Sequence, residues 1–195
     1  MKDRKIIRFG ILLVTSLACR FLTLEAKATE TPVISTGTRT YENEIFSFTI
    51  PAGWGTMEEV WERPMPPEKD YYGLGLQEII TIQYPPDQGQ GTGFFTVASS
   101  PLAGGEDLES RFTQAYELAS PAIENVSKQL FERGTLSGHE ITYKRPWGEP
   151  WWQFRDIWLE KDGLIYVLSF HTHINGFENY ASVFDQILDN FRFKQ

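Results

Sequence analysis

Cysteine is almost absent: Cys19 is the single one in a chain of 195 residues. An intramolecular disulfide is thereby excluded, as is any metal centre built on clustered thiolates. Histidine is nearly as scarce, at three residues, so a site needing several imidazoles has few to draw on. Positive charge is in deficit, with 18 Lys and Arg against 26 Asp and Glu and a formal net charge of −8. That balance disfavours general electrostatic binding to nucleic acid or anionic lipid. Long apolar runs are missing too. The uncharged stretch at residues 9–19 (FGILLVTSLAC) is eleven residues long, whereas a helix crossing a bilayer needs about 20. What the chain does have is aromatic: 14% Phe, Trp and Tyr, with six Trp, inside a composition of 41% hydrophobic and 23% charged residues. Such a composition folds, and large rings carry much of its core or binding surface.

The first 28 residues read as an export signal. Lys2, Arg4, Lys5 and Arg8 precede the apolar stretch, and Ala26-Lys27-Ala28 supplies a small-x-small site for cleavage after Ala28. A second reading uses Cys19. Leu17-Ala18-Cys19 is similar to the end of the bacterial lipoprotein signal, in which the cysteine is acylated, with Ser16 where a larger aliphatic residue is usual. Left uncleaved, the segment would act as an anchor; on each reading the folded part lies outside the cytoplasm, secreted, periplasmic or at the cell surface, with no transmembrane helix in the mature chain. Cleavage after Ala28 would remove six basic and two acidic residues and leave 12 basic and 24 acidic, a net charge of about −12. So acidic a body favours solubility and suits a basic partner or cations.

Residues 29–38 (TETPVISTGT) lack periodicity and read as a flexible tether, with one continuous domain over 39–195. Phe46, Phe48 and Ile50 alternate with polar residues as in a half-buried strand, which Pro51-Ala52-Gly53 closes in a turn before Trp54. Strands are expected at 76–84 and 93–99. A helix is expected at 107–119, with Leu108, Phe112, Ala115 and Ala119 on one stripe and acids at its start. Further strands are expected at 126–136, 139–144, 154–160 and 164–172, separated by a turn at Ser137-Gly138, a Trp-rich loop and a hairpin at Asp162-Gly163. Residues 164–170 (LIYVLSF) are apolar on both faces, as in a central strand. Phe177, Tyr180, Ala181, Phe184, Ile187, Leu188 and Phe191 recur at spacings of three and four, a closing amphipathic helix whose polar residues, Asp185 and Asp189 among them, form a solvated face. The fold class is therefore α+β: an antiparallel sheet between helices.

Three stretches together bear a family likeness. Tyr41, Asn43, Phe46-Ser47-Phe48, Pro51 and Trp54 resemble the opening of PsbP-like (Mog/PsbP-like) domains. Residues 164–170 resemble their late strand, and 177–193 their final helix with its short Phe-rich tail. This group holds the photosystem II extrinsic subunit, the Ran-binding Mog protein and many bacterial secreted or lipid-anchored proteins. The resemblance implies an α/β/α sandwich around a central, mainly antiparallel sheet, serving as a non-catalytic binding or assembly module. The photosynthetic subunit docks through basic surface residues, which this acidic chain does not match, and the cytosolic Ran-binding role does not match an export signal.

Of the groupings that could carry chemistry, His171-Thr172-His173 is the tightest. Residues two apart on a strand share a face, so both imidazoles could reach one metal, with His139 or Glu140 as distant further ligands; the alternative is two polar rings exposed at a strand end. The same pair could serve a secreted hydrolase. No G-x-S-x-G occurs, however, and the Gly-rich segments at 73–75, 89–93 and 104–105 match neither phosphate-loop nor dinucleotide patterns. The acid pairs Glu58-Glu59 and Glu106-Asp107 read as neighbours in loops, where adjacency fixes no carboxylate separation, and the latter reads as helix-start chemistry. Asn125-Val126-Ser127 matches a glycosylation sequon at chance level. Trp147, Trp151 and Trp152 lie among Pro and Gly in one loop, and Tyr71 and Tyr72 in a second aromatic loop that could face it. They read as a recognition surface for a protein or small ligand, or as rings that cap the sheet edge and seal the core. No metal, cofactor or catalytic residue is expected.

Overall fold

Strand 164–173 shows why the chain folds as it does. With apolar residues on both faces it needs cover on both sides, and it is buried along nearly its whole length. The computed structural model describes residues 35–64, 67, 70, 75–84, 92–102, 104–119, 122–146 and 151–195. All fall within one compact unit, Pro32–Gln195.

In chain order the elements are β1 (Arg39–Glu42), β2 (Phe46–Ile50), β3 (Gly55–Thr56), α1 (Met57–Trp61), β4 (Gln77–Gln83), β5 (Gly93–Pro101), α2 (Leu108–Ala119), β6 (Glu124–Arg133), β7 (Leu136–Arg145), β8 (Trp152–Lys161), β9 (Leu164–His173), a 3-10 turn (Ile174–Gly176), α3 (Phe177–Asn190) and β10 (Arg192–Phe193). A seven-stranded sheet runs β3-β4-β5-β9-β8-β7-β6, and a three-stranded sheet runs β1-β2-β10. Each described pairing is antiparallel. The fold is α+β, as expected.

Two apolar cores lie on opposite faces of the large sheet. On one face α3 and the small sheet bury Phe46, Phe48, Phe184, Ile187, Leu188 and Phe191 against Phe95, Leu168 and Phe170. On the other, Phe112, Ala115 and Tyr116 of α2 cover Ala98, Ile141, Trp158 and Val167. Each large side chain so buried contributes about 1.5–3 kcal/mol, which makes α3 a principal part of the fold. Its polar face is less solvated than its pattern implied: Asp185 pairs with Arg133 and Arg155, and Asp189 with Arg133. These ion pairs fasten α3 to β6 and β8.

Three further positions differ from expectation. The turn between β6 and β7 is Gly134-Thr135, with Gly134 at φ 62°. Ser137-Gly138 lies inside β7, where Gly138 is required by close approach: a Cβ there would stand 1.9 Å from the carbonyl oxygen of Trp158. Glu58 and Glu59 belong to α1, not to a loop. The Glu59 carboxylate accepts from the Thr56 backbone N–H in a capping box and pairs with Arg39 of β1. The hairpin at Asp162-Gly163 forms as expected, both residues having positive φ. At α2, Asp107 accepts from the Ser110 N–H at 2.8 Å and starts the helix.

Candidate functional site

Strand register decides which of the expected residues meet. On the α2 face of the large sheet, Trp152 of β8 stands opposite His173 of β9, and Phe154 opposite His171, which in turn faces Phe94 of β5. His171 is 3% exposed and stacked between Phe94 (centroids 4.9 Å apart) and Phe154 (5.0 Å). Burial pushes its pKa down to about 3, so it is neutral over the physiological range. The reading of two rings exposed at a strand end is thereby corrected for His171. Trp152 lies 4.2 Å from the His173 ring, 5.7 Å from Phe94 and 5.7 Å from His171, while keeping part of its indole in solvent. It opens β8 instead of sitting in a loop. The half-buried Trp151 is held beside it, its carbonyl accepting from the Ile174 N–H at 3.0 Å. Nδ1 of His173 is buried without a hydrogen-bond partner.

His139 stands apart from this end. It lies opposite Trp158, and Trp158 opposite Val167, four residues along β9 from His171 and two strands away, roughly 16 Å by strand spacings. It stacks on Phe112 and lies 3.0 Å from Glu109. Glu140 pairs instead with Arg155. No group of three metal-ligating side chains gathers among the described residues. Tyr71, Tyr72 and Trp147 lie outside the described residues, as do Cys19 and the expected export signal. Trp61 of α1 donates to Gln83 at one end of β4, and the strand starts at Gln77 at the other.

A buried acid also lies on this face. Asp156 is 1% exposed, in the same column of β8 as Trp152, Phe154 and Trp158. Its Oδ2 accepts from the hydroxyls of Tyr116 (2.7 Å) and Tyr143 (3.0 Å), and the Trp158 indole N–H donates to the Tyr116 oxygen at 2.8 Å. Burial raises the carboxyl to about 6, against the pull of Ser169 and the two tyrosines toward the ionised form. Tyr116 is pushed well above its ordinary value by burial and by the Asp156 charge. Oδ1 of Asp156 and Oγ of Ser169 are both buried, and no hydrogen bond of standard geometry joins them. Across the sheet, Thr81, Thr96, Ser169 and Asp156 lie in one row, with the two threonine hydroxyls 2.8 Å apart. The signal was present in the sequence: in Trp-Gln-Phe-Arg-Asp-Ile-Trp an acid occupies the aromatic side of a two-residue alternation.

The histidines are thus packing groups, and what this end of the sheet offers is an aromatic surface above a polar layer. Such an arrangement can bind through ring faces and order a partner. Two shallow cavities lie elsewhere, one of about 390 Å³ at the β7–β8 end near β10 and one of about 380 Å³ beside β1 and β4.

The fold is that of PsbP. The structure of cyanobacterial PsbP (CyanoP) from Synechocystis sp. PCC 6803 superposes with a TM-score of 0.52 at 12% identity, over 83% of this chain and 95% of that one. A Pseudomonas aeruginosa protein of unknown function, PA94, superposes at 0.49 with 10% identity (78% and 94% covered), and the Saccharomyces cerevisiae Ran-binding protein Mog1p at 0.46 with 12% identity (81% and 96% covered). No family model matches the sequence, and no curated protein does.

Proposed function

We propose that the protein is a non-catalytic, extracytoplasmic binding or assembly module of the PsbP-like type, which engages a protein or small-ligand partner through the aromatic end of its large sheet. The observation that carries this reading is the placement of Trp152: its ring covers His173 and the edge of the second core while one part stays open to solvent, with Trp151 anchored next to it. An indole partly open to solvent on a rigid strand is a low-entropy contact of the kind that dominates binding surfaces. Trp147, Tyr71 and Tyr72 complete the surface in this reading, and the acidic body favours a basic partner. Export is the work of residues 1–28, with cleavage after Ala28 or acylation at Cys19, a tether over 29–38 and the PsbP-like domain over 39–195. No helix among the described residues is long and apolar enough to cross a membrane.

Hydrolysis or metal capture through His171 and His173 draws no support from the geometry. One imidazole is enclosed between two phenylalanines and the other lies against an indole. The test is affinity capture from the envelope fraction of cells that make the protein. A partner retained by the wild type and lost from Trp151→Ala and Trp152→Ala supports the assignment. Equal recovery by all three proteins overturns the aromatic surface, and a mature protein found in the cytoplasm with residues 1–28 intact overturns the setting.

A further inference from the structure

The last strand of the large sheet, β6, has no strand on its outer side among the described residues. It is ten residues long, whereas the opposite edge, β3, has two. An edge of that length presents a row of unpaired backbone groups and is a template for another strand unless it is blocked. Proline does not occur in it, and its one irregularity is confined to Glu124–Ser127. The regular part, 127–133, carries Leu130, whose side chain is 77% exposed.

We propose that β6 pairs with β6 of a second copy of this chain, antiparallel about Leu130, so that two seven-stranded sheets join into one. Backbone direction is the first reason. Arg133 pairs with Leu136 across a two-residue turn, which makes that pair hydrogen-bonded, and antiparallel ladders then alternate. Residues 133, 131, 129 and 127 point their N–H and C=O groups to β7, while 132, 130 and 128 point theirs outward. Pairing about Leu130 sets these three against 128, 130 and 132 of the other copy and makes about six hydrogen bonds between chains.

Side-chain chemistry selects the same register. Lys128, Leu130 and Glu132 lie on one face, opposite Ile141, His139 and Ser137 of β7. With Leu130 on the axis, leucine meets leucine, and Lys128 of each copy meets Glu132 of the other, twice by symmetry. Centring the axis on Lys128 sets lysine on lysine and Glu124 on Glu132; centring it on Glu132 sets glutamate on glutamate. Centring it on residue 129 or 131 places the exposed leucine against a charged residue. The Lys128 ammonium lies 5.4 Å from the Phe112 ring and 6.0 Å from that of Tyr116, which holds it on the required face. The two-fold axis stands normal to the joined sheet, so the two aromatic ends point away from each other and stay accessible. The interface is small and opposed by the acidic net charge, which makes the dimer a weak one.

Sedimentation equilibrium of the full chain over a concentration series reads the association. The wild type is expected to show a monomer–dimer equilibrium. Glu132→Lys sets lysine against lysine twice and weakens it by about tenfold or more, and combining Glu132→Lys with Lys128→Glu restores it. Leu130→Pro removes an outward N–H without touching the β7 ladder and abolishes pairing. A wild type that stays monomeric up to its solubility limit overturns the proposal. So does a dimer indifferent to Glu132→Lys and Leu130→Pro, or a charge swap that fails to restore what Glu132→Lys removed while the protein keeps its strand circular dichroism.

Discussion

Replacing Asp156 with Asn should stabilise the protein at neutral pH. The carboxyl is fully enclosed and titrates at about 6, against an ordinary value of 3.8. A folded-state pKa above the unfolded one means that the native state holds its proton more tightly. Stability is therefore full below about pH 3.8 and falls as pH rises through 6. At 1.36 kcal/mol per unit, a shift of about two units costs the fold roughly 3 kcal/mol at pH 7. Asparagine keeps an oxygen for the hydroxyls of Tyr116 and Tyr143 and turns an amide toward Ser169, so the cost vanishes while the packing remains. The pH profile is sharper than the single value. His171, with its pKa pushed down to about 3 from 6.5, has the opposite sign: the stability it contributes is present above 6.5 and lost as pH falls toward 3. In the wild type the two slopes oppose each other between about pH 4 and 6. Urea unfolding from pH 4 to 8 should show Asp156→Asn gaining stability over the wild type as pH rises, by about 2.4 kcal/mol across the window. Since Glu59 and Asp185 are common to both proteins, their titrations cancel in the difference. A difference curve flat with pH would refute the claim that this acid is held above its ordinary range.

The remaining expectations concern packing. Phe184→Ala removes a fully buried ring from between Phe95 and Phe170 and should cost about 3–5 kcal/mol in chemical denaturation; a loss under 1 kcal/mol would mean that α3 does not seal the first core. Gly138→Ala drives a methyl into the Trp158 carbonyl and should cost at least about 3 kcal/mol, whereas Gly134→Ala affects a turn open to solvent and should cost less. Comparable losses at the two glycines would contradict the register of β7 and β8. His171→Phe should lose the acid-side fall in stability between pH 6.5 and 4 while folding normally at pH 7, as followed by thermal melts.

Local periodicity made some of this fold legible and long-range pairing concealed the rest. α3 was readable because seven apolar residues recur at three and four, and β9 because its apolar side chains fill both faces. The hairpin at Asp162-Gly163 was readable because those residues tolerate positive φ. The turn before β7 was misplaced by one glycine: Gly134 and Gly138 look alike in sequence, and only the approach of the Trp158 carbonyl separates them. Two-residue elements such as β3 and β10 are too short for any period to register. At the candidate site, aromatic enrichment around Trp151 and Trp152 was visible, but their neighbours Phe94, His171 and His173 come from strands joined only by the sheet. Asp185 and Asp189 read as solvated because their partners, Arg133 and Arg155, lie 30 to 56 residues away.

The binding role is tested most directly by a photo-reactive amino acid placed at position 151 and, as a control, at exposed position 160, at the far end of β8. Irradiating intact cells that make the protein should yield one discrete adduct from position 151, on the extracytoplasmic side of the membrane, and none from 160. Adducts confined to 160, or no adduct at 151 under conditions where 160 reacts, would contradict recognition through the tryptophan end of the sheet.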